Sequence, residues 1–425
     1  MRIPLFIFLV FWFSNSLFAQ SPPKAIALYE KHITFEGSQD YIFNEPHLYI
    51  NKSDSKHWLV STIATKKGDW DNFRTMTLVS FDAGNTWDHT FFGEYEAADP
   101  WGIINSEGHA IFTHLGPPEE GVYTYYSEDG GKTWNQDPYL IKGNLDHQTM
   151  TQNLKTNTLY ITADKSNSVL LAVSTDNGRT FSEQKAHRLT DMSTTVTTVS
   201  VDHTGKLYIP FTTYQRRGLE KRLWLDKTLS WVITSDDNAQ TISPMSLIGN
   251  FCERSFPVFT IDTSNSDYQG RGYYVCASQS DRGIVFQHSS NDLSKWSEPV
   301  ILSKFTFKEP RDRNPFTGSP QIIVNNKGTV GVAWKGRQPE PNSDCDYLFF
   351  MYSNDGGKTF SDATQVSKAL SCPDKEGNDW LGYRWPTGGD YFGLDTNEDG
   401  QFIVVWPDSR KEYFQLYQST IAIPD

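Results

Sequence analysis

The stretch SEDGGKTW, residues 127–134, packs a serine, an aspartate, a glycine pair, a threonine and a tryptophan into one corner. Each has a mechanical use. An aspartate in a turn hydrogen-bonds the N–H groups of its own loop, glycine supplies a positive φ, and a terminal aromatic plugs the gap between neighbouring strands. The corner recurs as SFDAGNTW (80–87), STDNGRTF (174–181) and SNDGGKTF (353–360), with looser copies SDDNAQTI (235–242) and SSNDLSKW (289–296). A multi-strand unit repeated every 40 to 50 residues or so predicts the blades of a β-propeller. The carboxylates inside the corners are then structural staples rather than catalytic candidates.

Working outward, a short strand precedes each corner by one module. These strands read EPHLYIN (45–51), DPWGIIN (99–105), DHQTMTQN (146–153), TTVSVD (197–202), FPVFTID (256–262), SPQIIVN (319–325) and DYFGLDT (390–396). The last module, QFIVVWPDSR followed by FQLYQSTI, has no corner of its own, and AIALYEKHITF (25–35) is a strand with no partner nearby in sequence. Joining the two closes a ring and removes an exposed edge. The fold class expected is all-β, a seven-bladed β-propeller with six blades as the alternative count, forming a single domain over residues 20–425.

Bulk features narrow the setting. Residues 1–19 combine Arg2, an apolar run and the small residue Ala19, the layout of a secretory signal peptide, so a secreted or periplasmic protein is expected. No later segment approaches the roughly 20 apolar residues of a membrane span. A formal net charge of −13 argues against nucleic acid as the partner. The four cysteines fit no zinc spacing, and chain proximity suggests Cys252 with Cys276 and Cys345 with Cys372 among the three connectivities open to them. The corners account for the aspartate-rich turns, so no cofactor and no metal ligand set is read, a structural calcium or zinc being compatible with the sequence.

The Ser-x-Asp-x-Gly-x-Thr-Trp/Phe corners resemble the Asp-box, or BNR, repeats of sialidase-like secreted β-propellers, over nearly the whole mature chain. The resemblance implies a site on the face opposite the box turns, where first strands begin and second strands hand over to third strands. The ring of first-strand starts carries Glu45, His47, Asp99, Trp101, Asp146, His147, Arg254, Asp390 and Tyr391, and the handover loops add Arg74, Arg216, Arg217, Lys335 and Arg410. Arginine offers carboxylate or sulfate a rigid two-pronged fork, so an acidic poly- or oligosaccharide is the expected partner.

On these grounds His47, Arg74, Trp101, Arg216, Arg254, Arg313, Arg384 and Tyr391 are candidate substrate-binding residues. His147, Tyr214 and Arg217 are candidate catalytic residues, similar in type and blade position to the His and Tyr of propeller ulvan lyases. The implied reaction is β-elimination on a uronic acid, with arginine neutralising the carboxylate while His and Tyr move protons. An exo-sialidase-type hydrolase is the alternative, although the Arg-Ile-Pro signature of sialidases is missing: FNEPHLYI (43–50) has His where an arginine would serve. A non-catalytic sugar-binding propeller is the third reading.

Overall fold

The computed structural model describes residues 21–424 apart from 70–72, 94–95, 166, 189–192, 215–227, 250–251, 253–256, 279–282, 305–318, 338–344 and 374–386. The leader expected over 1–19 lies outside them. Runs rich in Val, Ile, Thr and aromatics, punctuated by Gly, Asn and Asp, form seven antiparallel sheets. Blade 1 shows the pattern from the axis outward: Tyr41–Ile50, Trp58–Lys66, Phe73–Ser80 and Asp88–Phe92. The inner strands of blades 2 to 7 are Ala98–Ile104, Asp146–Asn153, the split pair Ser193–Val196 and Ser200–Val201, Val258–Ile261, Gln321–Val324 and Gly393–Thr396. Each inner strand touches those of its two neighbours, around a closed ring. The molecule is a seven-bladed β-propeller.

Closure is made as the sequence suggests. Ile26–His32 pairs antiparallel with Tyr413–Ala422 and becomes the outer strand of blade 7. A buried ion cluster locks it: Arg410 binds Glu30 on the closing strand, and its Nη2 lies 2.6 Å from Asp408 Oδ2. The Arg410 guanidinium also sits 4.3 Å over the Tyr417 ring.

The boxes lodge between blades. Ser80 Oγ donates to Asp82 Oδ1 at 2.8 Å and accepts the Gly84 N–H at 2.9 Å, while Asp82 takes the Thr86 N–H and hydroxyl at 2.8 and 2.7 Å. The same four bonds recur at Ser127, Ser174 and Ser353. They recur too at the looser Ser235 corner, where Ala239 holds φ 67° in the glycine place. At the Ser289 corner the capping carboxylate moves one residue on, so that Asp292 takes the Ser294 N–H at 3.1 Å. Glycine is required for space as well as for φ. A Cβ on Gly84 (φ 75°) would fall 2.5 Å from Trp58, and one on Gly357 (φ 86°) 2.6 Å from Phe286 of the preceding blade.

Both disulfides form as chain proximity suggested, Cys252–Cys276 and Cys345–Cys372. Among the described residues no helix is long and apolar enough to cross a membrane.

Candidate active site

Four inner strands open in the same way. Glu45, Asp99, His147 and Ser319 each stand six residues before an asparagine, Asn51, Asn105, Asn153 or Asn325, and each has a positive φ of 50°, 50°, 51° and 35° respectively. Each asparagine Oδ1 accepts the N–H two residues on, at 2.9 to 3.0 Å, which fixes the far end of its strand. Positive φ is uncommon outside glycine and costs energy; it persists where the surroundings enforce it, often at functional sites. Here it accompanies a slip in pairing between Asn44 and His47, Ala98 and Trp101, and Asp146 and Thr149. A bulge of this kind re-aims side chains at the rim of a sheet. Repeated on neighbouring blades, it gathers polar groups at the axis.

Glu45 is the most buried of them, 1% exposed. Its Oε1 accepts the Asp390 N–H at 3.0 Å, joining blade 1 to blade 7, and its Oε2 has no hydrogen-bond partner among the described residues. Burial, then the charges of Asp390 and Asp99, hold the Glu45 carboxyl well above the usual carboxylate range, which favours its neutral form. Beside it the Tyr391 hydroxyl donates to the Pro100 carbonyl at 3.2 Å, and its ring meets Trp101 edge-on at 6.0 Å. Trp101 stacks on His47 at 3.8 Å and donates its indole N–H to the Met150 carbonyl at 3.1 Å. Burial pushes His47 down to about 3, leaving it a neutral packing partner.

His147 is held in the opposite state. Its Nδ1 lies 3.2 Å from Asp164 Oδ2 and 3.5 Å from Asp146 Oδ2, and its main-chain N–H donates to Asp99 Oδ2 at 3.2 Å. Burial works to lower its pKa, but Asp146, the bond to Asp164 and Asp99 together keep it well above the ordinary histidine range. Burial lifts Asp164 to about 6 against the pull of the imidazolium. The pairing favours a charged imidazolium beside the Asp164 carboxyl. Asp164 is aimed from the next blade, since its Oδ1 accepts the Val196 N–H at 2.7 Å. Asp99, Asp146 and His147 also place ligand atoms within 4.8 Å of one another, a donor set able to hold a cation.

These groups surround an axial pocket. Asp99, Trp101, His147 and Tyr391 form one side, and Val196 and Val258 stand on the other. Of the candidates read from sequence, His47, Trp101, His147 and Tyr391 come together at this place. Tyr214 ends the second strand of blade 4, paired with Ser193 and Thr228, and is not part of the pocket wall. Arg74 donates to the Gly93 carbonyl at 3.4 Å and packs over Phe92 on the outer strand of blade 1. Arg216, Arg217, Arg254, Arg313 and Arg384 lie outside the described residues.

Two other cations of the handover loops are committed internally: Lys335, 1% exposed, reaches Asp346 at 3.2 Å and the Pro407 carbonyl at 2.7 Å, and Arg410 holds the closing strand. What the sequence reading missed is the acid–base weight of Glu45, Asp99 and Asp164. The signal for the first two was present, an acidic residue directly before proline at a strand start (Glu45–Pro46, Asp99–Pro100). Nothing local marks Asp164.

Comparison with known proteins agrees with the architecture. Residues 125–136 match the BNR/Asp-box repeat family. No curated protein matches the chain. Among solved structures, a protein of unknown function from Dyadobacter fermentans DSM 18053 is similar with a TM-score of 0.54 at 12% identity, over 95% of this chain and 100% of that one. The Hadza microbial sialidase Hz136 has a TM-score of 0.48 at 13% identity, over 83% and 73% of the two chains. The α-L-arabinofuranosidase Arb93A from Fusarium graminearum has a TM-score of 0.44 at 12% identity, over 77% and 93%. What the repeat match and the fold likeness share is the scaffold, a β-propeller built on Asp-box repeats.

Proposed function

We propose that this protein is a carbohydrate-active enzyme that cleaves glycosidic bonds by acid–base chemistry in the axial pocket. One observation carries the reading: His147, on the pocket wall, is clamped through Nδ1 by Asp164 and contacts two further carboxylates, Asp146 and Asp99, whose charges favour its protonated form. A general acid must hold its proton at working pH and present it to a leaving oxygen. His147 is that acid, Asp164 fixes its orientation, and Asp99 is the carboxylate that activates water or supports the developing positive charge at the sugar. Trp101 and Tyr391 offer ring faces and edges to the sugar. Two disulfides support an extracytoplasmic location.

β-Elimination on an acidic saccharide is the second reading. It draws support from the sequence positions of Arg216 and Arg217, directly after the strand Leu207–Tyr214, and of Arg313 and Arg384, shortly before the inner strands of blades 6 and 7. Elimination needs a His or Tyr base of the kind the sequence suggested, however, and the pocket sets both the other way: nearby carboxylates favour the protonated form of His147, and burial with those carboxylates favours the phenol form of Tyr391. Hydrolysis is therefore favoured.

The test is a panel of neutral and uronic-acid oligosaccharides and a sialoside, scored for new reducing ends and for absorbance near 235 nm. New reducing ends without absorbance, lost in His147→Gln, are expected. A rise at 235 nm would establish elimination, and silence throughout would leave a binding propeller.

A further inference from the structure

The pocket is polarised around the ring. Blades 7, 2 and 3 contribute Tyr391, Asp99, His147 and Gln148, and blade 6 adds Gln321, whereas blades 4 and 5 contribute Val196, Thr197, Thr198, Pro257 and Val258. The threonines of this second arc do not make it polar. Thr198 Oγ1 donates to the Phe259 carbonyl at 2.6 Å and accepts the Phe259 N–H at 2.9 Å. Thr197 Oγ1 donates to the Pro210 carbonyl at 3.4 Å, and the neighbouring Thr149 Oγ1 is spent on the Thr197 carbonyl at 3.0 Å. With their hydroxyls turned to main chain, these side chains have only methyl groups left to offer a ligand. The arc also begins next to the acid, because Asp164 bonds His147 Nδ1 with one oxygen and the Val196 N–H with the other.

We propose that this arc is a subsite for the apolar C5 substituent of a 6-deoxyhexose. The assignment rests on the reading of the pocket as a glycoside-cleaving site. In a pyranose, C1 and C5 flank the ring oxygen, so a sugar whose glycosidic oxygen faces His147 turns its C5 substituent toward the surface beside His147. On the side of blades 4 and 5 that surface is aliphatic, Gln148 and Gln321 lining the same pocket outside the arc. A methyl group seated against Val196 and Val258 is accommodated, whereas a hydroxymethyl group there loses its water and meets no donor or acceptor among the described side chains of the arc. A hydrophobic pocket discriminates at this level by roughly 10- to 100-fold.

The test compares binding of methyl α-L-fucopyranoside with methyl α-L-galactopyranoside, and of methyl α-L-rhamnopyranoside with methyl α-L-mannopyranoside, by calorimetry and ligand-observed NMR on the mature protein. Within each pair only the C5 substituent differs. The 6-deoxy member of at least one pair is expected to bind at least about tenfold more tightly. Val258→Thr, which keeps the β-branched shape while adding a hydroxyl, should reduce the preference severalfold with the melting curve still cooperative. Equal binding within both pairs, no binding by any of the four, or a preference untouched by Val258→Thr would overturn the assignment. The same comparison in His147→Gln separates this proposal from the catalytic one. Selective binding that survives in His147→Gln while the parent protein is inactive on every glycoside would leave the subsite standing and sink the hydrolase, and cleavage by the parent that is blind to C5 would do the reverse.

Discussion

His147 Nδ1 and Asp164 Oδ2 lie 3.2 Å apart, and the other Asp164 oxygen is fixed by the Val196 N–H of the next blade. If the protonated imidazole is the working form, activity is full below its raised pKa and falls as pH climbs through it. Asp164→Asn removes one of the charges that raise that pKa. The alkaline limb of the kcat profile should move toward lower pH by about one unit, the equivalent of about 1.4 kcal/mol. KM should change little. The imidazole titration followed by NMR should shift in the same direction, and an unmoved limb would show that Asp164 only packs.

Glu45 has a different signature because its neutral form is the one the fold prefers. The folded protein binds a proton there that the unfolded chain releases in the ordinary carboxylate range, so stability declines as pH rises from that range through the raised folded value. Glu45→Gln keeps an oxygen for the Asp390 N–H and cannot ionise. Chemical denaturation across pH should give a flatter profile for the variant above about pH 5, with near equality below it.

The box glycines are open to a controlled comparison. Gly37 and Gly84 have similar φ values, 81° and 75°, but a Cβ on Gly37 meets nothing within 4 Å whereas one on Gly84 strikes Trp58. Gly37→Ala should cost only the backbone strain, about 1–2 kcal/mol. Gly84→Ala adds overpacking and should reach about 2–5 kcal/mol, read as a lower denaturant midpoint.

The disulfide Cys252–Cys276 encloses a sequence separation of 24 residues. Replacing both cysteines by serine should lower stability by about 3 kcal/mol on the chain-entropy scale for such a loop. Adding reductant to the native protein should move the denaturation midpoint the same way, and a double variant as stable as the parent would show that the loop is already ordered when unfolded.

Much of this scaffold is written in local signals. The boxes announce themselves because each is closed by its own side chains within eight residues, from Ser80 to Trp87 for instance. Ring closure was legible because one strand at each end lacked a partner. The site was less so, for two physical reasons. The positive φ at Glu45, Asp99 and His147 arises from a pairing slip with the second strand, which depends on register rather than composition. Asp164 acts through a residue 17 positions earlier and a main-chain N–H 32 positions later. Counting cations along loops also overstates what is free for a ligand, since Lys335 and Arg410 are consumed inside the protein.

The strand Ile26–His32 finds its partner in Tyr413–Ala422, with Thr420 and Tyr29 touching across 391 residues of chain. At ribosomal speeds of about 5–20 residues per second, the first strand to be made waits roughly 20 to 80 s for the last. Until then blade 7 lacks its two outer strands. The ring thus cannot close until the ten residues of Tyr413–Ala422 have been made, so the pairing that completes the circle comes long after the strand that waits for it.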